Sequence, residues 1–170
     1  MERDDAVKMK GNPITLIGPE LKKGDKAPDF RCMEAFGSQV DLGSFGDDVK
    51  VFNVVVSVDT PVCDVQIRRF NEEAAGLSDS VQIITVSMDL PFAQSRYCAA
   101  AGVERVRTAS DYQYASFGEA YGVLIKENRL LARSIFVVGP DNTLAHVEYV
   151  GDIVDEPDYE ATLAAIRSIG

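Results

Sequence analysis

The run VKVFNVVVSVD, Val49 to Asp59, decides the fold. It is nearly continuously apolar and rich in β-branched residues, the pattern of a strand covered on both faces of a sheet. It stops at Asp59-Thr60-Pro61. Beyond that loop Val62, Val65, Ile67, Phe70 and Ala74 recur at roughly helical spacing, leaving Arg68, Arg69, Glu72 and Glu73 for the wet face. The spacing predicts a helix over Val62 to Leu77, closed by Gly76 and Ser78 to Ser80. A second buried-strand run, VQIITVSM from Val81 to Met88, precedes a second helix from Pro91 to Ala101, with Pro91 suited to a first turn.

Outward from this centre, Val106 to Asp111 reads as a third strand or loop and Tyr112 to Tyr121 as a short helix. Leu130 to Val138 and Leu144 to Val150 flank the strong turn Gly139-Pro140-Asp141-Asn142 and predict an antiparallel hairpin. Glu156-Pro157-Asp158 opens a terminal helix through Ile169. Towards the amino end, Asn12 to Gly18 reads as a hairpin strand, Gly24 to Pro28 as loop and Phe36 to Leu42 as a turn. A βαβαβ core, a hairpin and a last helix make an α/β fold, with helices on the faces of a mixed sheet and right-handed parallel crossovers. No repeat or linker interrupts residues 1-170, which are expected to form a single domain.

Hydrophobic residues at 46% and charged residues at 26% suit a globular core and disfavour disordered or fibrous classes. Lys and Arg number 17 against 27 Asp and Glu, a net charge of -10. No basic stripe exists to displace counterions from phosphate, so no nucleic acid partner is expected, and an anionic membrane surface would repel the chain. No run approaches the roughly 18 to 20 apolar residues of a membrane span. Met1 to Lys10 is charged and followed only by the short apolar run Ile14 to Ile17, so no secretory signal is read and a cytoplasmic address is expected. There structural disulfides are rare, and three cysteines cannot all pair.

In such sheets reactive groups collect where a strand feeds a loop and a helix amino terminus, which selects Asp59 to Cys63. Cys63 falls in the first turn of the expected helix, where unpaired N–H groups and the helix dipole favour a thiolate. Its bland alternative is a small buried hydrophobe. Asp64, Val65 and Gln66 follow it, so no Cys-x-x-Cys dithiol is present. Three scattered cysteines and the single His146 do not make a zinc site, and a histidine inside a hairpin strand is expected to be structural rather than a protease partner.

Ser57-Val58-Asp59-Thr60-Pro61-Val62-Cys63 resembles the peroxidatic loop of peroxiredoxins, and Asp-Thr-x-Val-Cys is the form of the thiol peroxidase, atypical two-cysteine subfamily. Leu90-Pro91-Phe92-Ala93-Gln94-Ser95-Arg96-Tyr97-Cys98 resembles that subfamily's resolving segment, and Arg133-Ser134-Ile135-Phe136-Val137-Val138 its strand bearing the active-site arginine. Ser110-Asp111-Tyr112, Phe117-Gly118 and Tyr121-Gly122-Val123 follow in the family's order, so the resemblance runs from about Gly11 to Ile169. It implies a thioredoxin-like fold with an amino-terminal β-hairpin.

It further implies a thiol-dependent peroxidase that reduces hydrogen peroxide and organic hydroperoxides without metal or organic cofactor. Cys63 would attack the peroxide and become a sulfenic acid. The Thr60 hydroxyl, the Arg133 guanidinium and the Cys63 N–H would hold the peroxide and the sulfur. Cys98 would resolve the sulfenic acid as an intramolecular disulfide, recycled by thioredoxin. Family members commonly pair as homodimers, which puts Tyr112, Tyr114 and Phe117 either at an interface or in the core. Cys32 matches neither position and reads as a spare structural thiol. Many peroxiredoxins carry proline seven residues before the peroxidatic cysteine, where this chain has Val56; Pro61 partly restores stiffness by fixing its own φ. A disulfide needs Cα atoms about 4.4 to 6.8 Å apart, so the segments around Cys63 and Cys98 are expected to unwind locally on oxidation. The competing reading is a thioredoxin-fold redox-sensing or binding module without sustained turnover.

Overall fold

The computed structural model describes residues 1–169. The stretch around Val51 forms β5 (Val49–Val54), every residue of it buried. Next come α1 (Pro61–Ala74), β6 (Val81–Ser87), α2 (Pro91–Ala101) and β7 (Arg107–Ser110), in the βαβαβ order expected. β5 pairs parallel with β6 and β6 with β7. On the other side of β5 lie, antiparallel, β9 (Ser134–Val138) and then β10 (Leu144–Tyr149). β3 (Cys32–Ala35) and β4 (Ser38–Val40) close the far edge, giving a seven-stranded sheet in the order β10-β9-β5-β6-β7-β3-β4.

Alternation along β5 assigns its two faces. Phe52 and Val54 join Phe30, Phe45, Phe117, Tyr121 and Phe136 in an aromatic layer on one side. There Phe117 and Tyr121 stack with centroids 4.1 Å apart, and Phe52 meets Phe117 edge to face at 5.3 Å. Val49, Val51 and Val55 face the other layer, built from Cys63, Ile67 and Phe70 of α1 with Leu163 and Ile166 of α4 (Tyr159–Ile169). Asp158 starts α4 by accepting the Ala161 N–H at 2.9 Å.

The amino-terminal hairpin is present, and its first strand is the charged segment that carried no strand signal. β1 (Glu2–Met9) and β2 (Asn12–Ile17) join through Lys10 and Gly11, whose φ values of 51° and 80° suit a primed hairpin turn. Only Val7 of β1 is buried, so an edge strand wet on most positions has no apolar alternation to reveal it. The hairpin pairs with the two-residue β8 (Leu124–Ile125), also unforeseen, in a separate three-stranded sheet. Tyr121-Gly122-Val123 leads into β8, and Gly122 has φ of 67° with its Cα facing the Pro19 carbonyl. A Cβ there would lie 1.9 Å from that oxygen, so only glycine fits.

Several expected boundaries move. The central strand ends at Val54 rather than Asp59, because the Asp89 carboxylate takes the Ser57 hydroxyl at 2.8 Å and the Val58 N–H at 2.9 Å and bends the chain away. The expected helix over Tyr112 to Tyr121 contracts to α3 (Ser116–Ala120), since Ala115 is left-handed at φ 51° and Asp111 accepts from Phe117 N and Gly118 N. Leu130 to Arg133 is not strand; Ala132 N bonds Val123 O instead. Phe117 is core, whereas Tyr112 and Tyr114 are 38% and 40% exposed.

Candidate active site

Cys63 sits in the first turn of α1, fully buried, three residues after Thr60. Thr60 is the N-cap residue with extended φ and ψ, and its carbonyl accepts from Asp64 N at 2.9 Å. Its hydroxyl makes no capping bond and donates to Ser57 O at 3.1 Å, so its lone pairs remain available to accept. Pro61 opens the helix, where its missing N–H costs nothing. The loop is held by Asp89, which also accepts from Ser87 Oγ at 2.7 Å. Asp89 stands two residues before α2, so one carboxylate ties the Cys63 loop to the start of the Cys98 segment.

Arg133 immediately precedes β9 and is 2% exposed, so it is no solvent-facing strand-edge cation. Its Nε donates to Ile153 O at 2.9 Å and its Nη1 to Gln66 Oε1 at 2.5 Å. Gln66 in turn donates to Asn53 Oδ1, and Asn53 to Thr85 Oγ1 at 3.0 Å. All these partners are neutral. Among the described residues no carboxylate lies within ion-pair distance of Arg133. A buried guanidinium ordinarily pairs with an acid; here its charge is oriented by amides and left uncompensated.

Thr60 and Arg133 line one cavity of about 300 Å³, together with Met9, Lys10, Val56, Pro61, Val62, Ile153 and Val154. The tip of the amino-terminal hairpin forms one wall. It is pinned by Asp152, which accepts from Lys10 N at 3.1 Å and Gly11 N at 2.8 Å. Val56, where many peroxiredoxins have proline, is part of this apolar wall. Cys63 lies one turn before Gln66 on α1, fully buried in the core and not itself part of the cavity lining.

Cys98 is not brought to this cavity. It is half-buried on α2 and lines a different space of about 440 Å³ with Phe36, Phe92 and Ser95. Burial pushes its thiol up from the usual value, which keeps it a neutral thiol. Tyr97 and Cys98 pack against the layer that contains Cys63, and all three cysteines are free. Cys32 is 1% exposed and donates to Asp111 Oδ1 at 3.5 Å; burial, then the Asp111 charge, drive its thiol far above the usual range. That environment suits a structural thiol. His146 lies in β10, 4.0 Å from the Glu148 carboxylate and outside the Thr60–Arg133 cavity.

Gln66, Asn53 and Asp89 escaped the sequence reading. Gln66 was legible: Cys63, Gln66, Ile67 and Phe70 fall at 3-4 spacing, and these are the residues α1 buries, while Val65, assigned to that face, is 49% exposed. A polar residue on a core-facing stripe signals a buried partner. Among the described residues no group of three His, Cys, Asp or Glu has the arrangement of a metal site, and no helix is long and apolar enough to cross a membrane.

Fold and site together define a thioredoxin-like α/β protein organised around a buried cysteine at a helix amino terminus. The Redoxin family model matches residues 22–163. A thiol peroxidase from Halalkalibacterium halodurans is 50% identical over 163 residues, covering 96% of this chain and 98% of the relative. The thiol peroxidase of Bacillus subtilis is 47% identical over 163 residues, covering 96% and 97%. The crystal structure of a peroxiredoxin-like protein from Aquifex aeolicus superposes with a TM-score of 0.89 at 40% identity, covering 96% of each chain. The chain belongs to the Redoxin family and, within it, to the thiol peroxidases.

Proposed function

We propose that the whole chain works as one peroxiredoxin domain in which Cys63 reduces hydroperoxides and Cys98 resolves the product. The observation that carries this reading is the pairing of Thr60 and an uncompensated, buried Arg133 on one cavity at the start of the helix that bears Cys63. A thiolate at Cys63 attacks one peroxide oxygen; the O–O bond breaks, sulfur becomes sulfenic acid and the other oxygen leaves as water or alcohol. Charge grows on the departing oxygen in the transition state, and a donor fixed in a dry site stabilises it without reorganising. Arg133 is that donor. The Thr60 oxygen accepts from the peroxide hydrogen and sets its direction. The apolar walls Val56, Val62, Ile153 and Val154 suit the alkyl part of an organic hydroperoxide and exclude water.

Cys98 then attacks the Cys63 sulfenic acid, giving an intramolecular disulfide and water. Cys63 is fully buried under the first turn of α1 and Cys98 lines a separate space on α2, so the first turn of α1 and the Cys98 end of α2 unwind locally to meet. A dithiol reductant of the thioredoxin type restores both thiols, in a cytoplasmic setting. Exposed Tyr112, which shares a hollow with Phe36, and Phe92, stacked on Phe36, supply aromatic area for a homodimer.

The assay is peroxide-dependent NADPH oxidation coupled through thioredoxin and its reductase. Sustained consumption over many equivalents per protein is expected. Consumption that stops after one equivalent supports the redox-sensing module instead.

A further inference from the structure

The helices carrying the two cysteines are bridged by contacts that the peroxide chemistry does not use. Tyr97, next to Cys98, donates its hydroxyl to Asp64, next to Cys63, at 2.5 Å. Arg68, one turn along α1, donates Nε to the same oxygen at 2.9 Å and Nη1 to the carbonyl of Ala101, the last residue of α2, at 3.2 Å. The Tyr97 hydrogen bond is the largest influence holding Asp64 below the usual carboxylate range, while burial and this same bond raise the phenol. The bridge is therefore a neutral phenol on an ionised carboxylate, the stronger kind of hydrogen bond.

Apart from the packing of Tyr97, Cys98 and Ala101 against the apolar layer beneath them, these are the side-chain hydrogen bonds that hold this end of α2. Ser95, Arg96, Ala99 and Ala100 are exposed, and the helix stops at left-handed Gly102, whose N–H returns to Cys98 O. One turn earlier Gln94 is anchored to Ser87 Oγ and Ala109 O, both at 3.0 Å. The half of α2 that carries Cys98 is thus held by that apolar contact and by the polar bridge of Tyr97 and Arg68 to α1.

We infer that Asp64 and Tyr97 are positioning residues that latch the Cys98 helix to the Cys63 helix and set the rate at which Cys98 is released to form the disulfide. The inference rests on the roles proposed above for the two cysteines. Two reactions compete for the sulfenic acid. In one, Cys98 sulfur displaces hydroxide from Cys63 sulfur: the S–O bond breaks, the S–S bond forms, and the thiol proton leaves with the oxygen as water. In the other, a second hydroperoxide transfers one oxygen to Cys63, giving sulfinic acid and water or alcohol. The second needs the folded cavity that holds peroxide, and the first needs the latch open. A tight latch therefore favours overoxidation and a loose one favours resolution.

Tyr97→Phe keeps the ring and removes the donor. After rapid mixing of the reduced protein with one equivalent of hydrogen peroxide, its disulfide is expected to form about tenfold faster than in the wild type. The peroxide concentration that converts half of Cys63 to sulfinic acid should rise by a similar factor. Asp64→Asn keeps an acceptor and loses the charge, so it should move both readouts in the same direction by less. A merely structural contact would not speed disulfide formation when removed. A rate at or below that of the wild type in Tyr97→Phe, or in Asp64→Asn if the first variant does not fold, overturns the latch alone. A wild type that forms no Cys63–Cys98 disulfide removes the latch together with the reading it rests on.

Discussion

Replacing Cys63 by serine is expected to abolish peroxide consumption, leaving only the slow background of the two other thiols. In the proposed reaction the Cys63 thiolate is the nucleophile, and a serine hydroxyl in this setting has no adjacent base to activate it. Neither Thr60 nor Arg133 can substitute, since the roles proposed for both are only to hold and polarise the peroxide. Serine at a position with no exposure leaves a buried hydroxyl, which costs about 1–3 kcal/mol if unpaired, so a lower melting temperature is expected with the far-UV spectrum unchanged. Activity is read in the thioredoxin-coupled assay, with Cys32→Ser as the comparison. Cys32 is bound to Asp111 within the core, and its replacement should leave turnover near the wild-type value. Residual turnover in Cys63→Ser that depends on Cys32 would reverse the assignment.

The second large effect is expected at Arg133. Arg133→Gln keeps a planar donor and removes the charge, and kcat/KM for hydrogen peroxide should fall by roughly 10²–10³-fold, the usual cost of losing a fixed donor to a developing anion. Gln66→Glu probes the same charge from the opposite side. A carboxylate at that position would pair with Nη1, which now bonds the Gln66 amide at 2.5 Å, and would draw the guanidinium away from the peroxide. A loss of roughly tenfold in kcat/KM is expected from this single-atom-type change. Arg133→Gln with full activity would mean that the guanidinium serves only to brace the loop that contains Ile153.

Such an arrangement was partly legible in the chain alone. The fold could be read because buried strands announce themselves: Val49–Val54, Val81–Ser87 and Ser134–Val138 are apolar runs, and α2 begins and ends where Pro91 and Gly102 place it. β1 was not legible because it is an edge strand with a single buried side chain, and β8 because two residues carry no periodicity. At the site, motif order singled out Thr60 and Arg133, which the fold brings to one cavity at the start of the helix that bears Cys63, and Cys98, which it leaves on another space. What the chain could not reveal was pairing at a distance. Nothing in the local sequence announces that Asn53 and Thr85, on neighbouring strands, extend the Gln66–Arg133 chain, or that Tyr97 reaches Asp64. Those contacts arise only when the parallel crossover sets α1 and α2 side by side.

In the proposed reaction Cys63 attacks and Cys98 resolves within one chain, and the most direct measurement of this is a non-reducing peptide map after one equivalent of hydrogen peroxide. It should recover a single linked pair, Cys63 with Cys98 and two hydrogens lighter, with Cys32 free. A linkage through Cys32, a disulfide only between separate chains, or an unmodified Cys63 would contradict it.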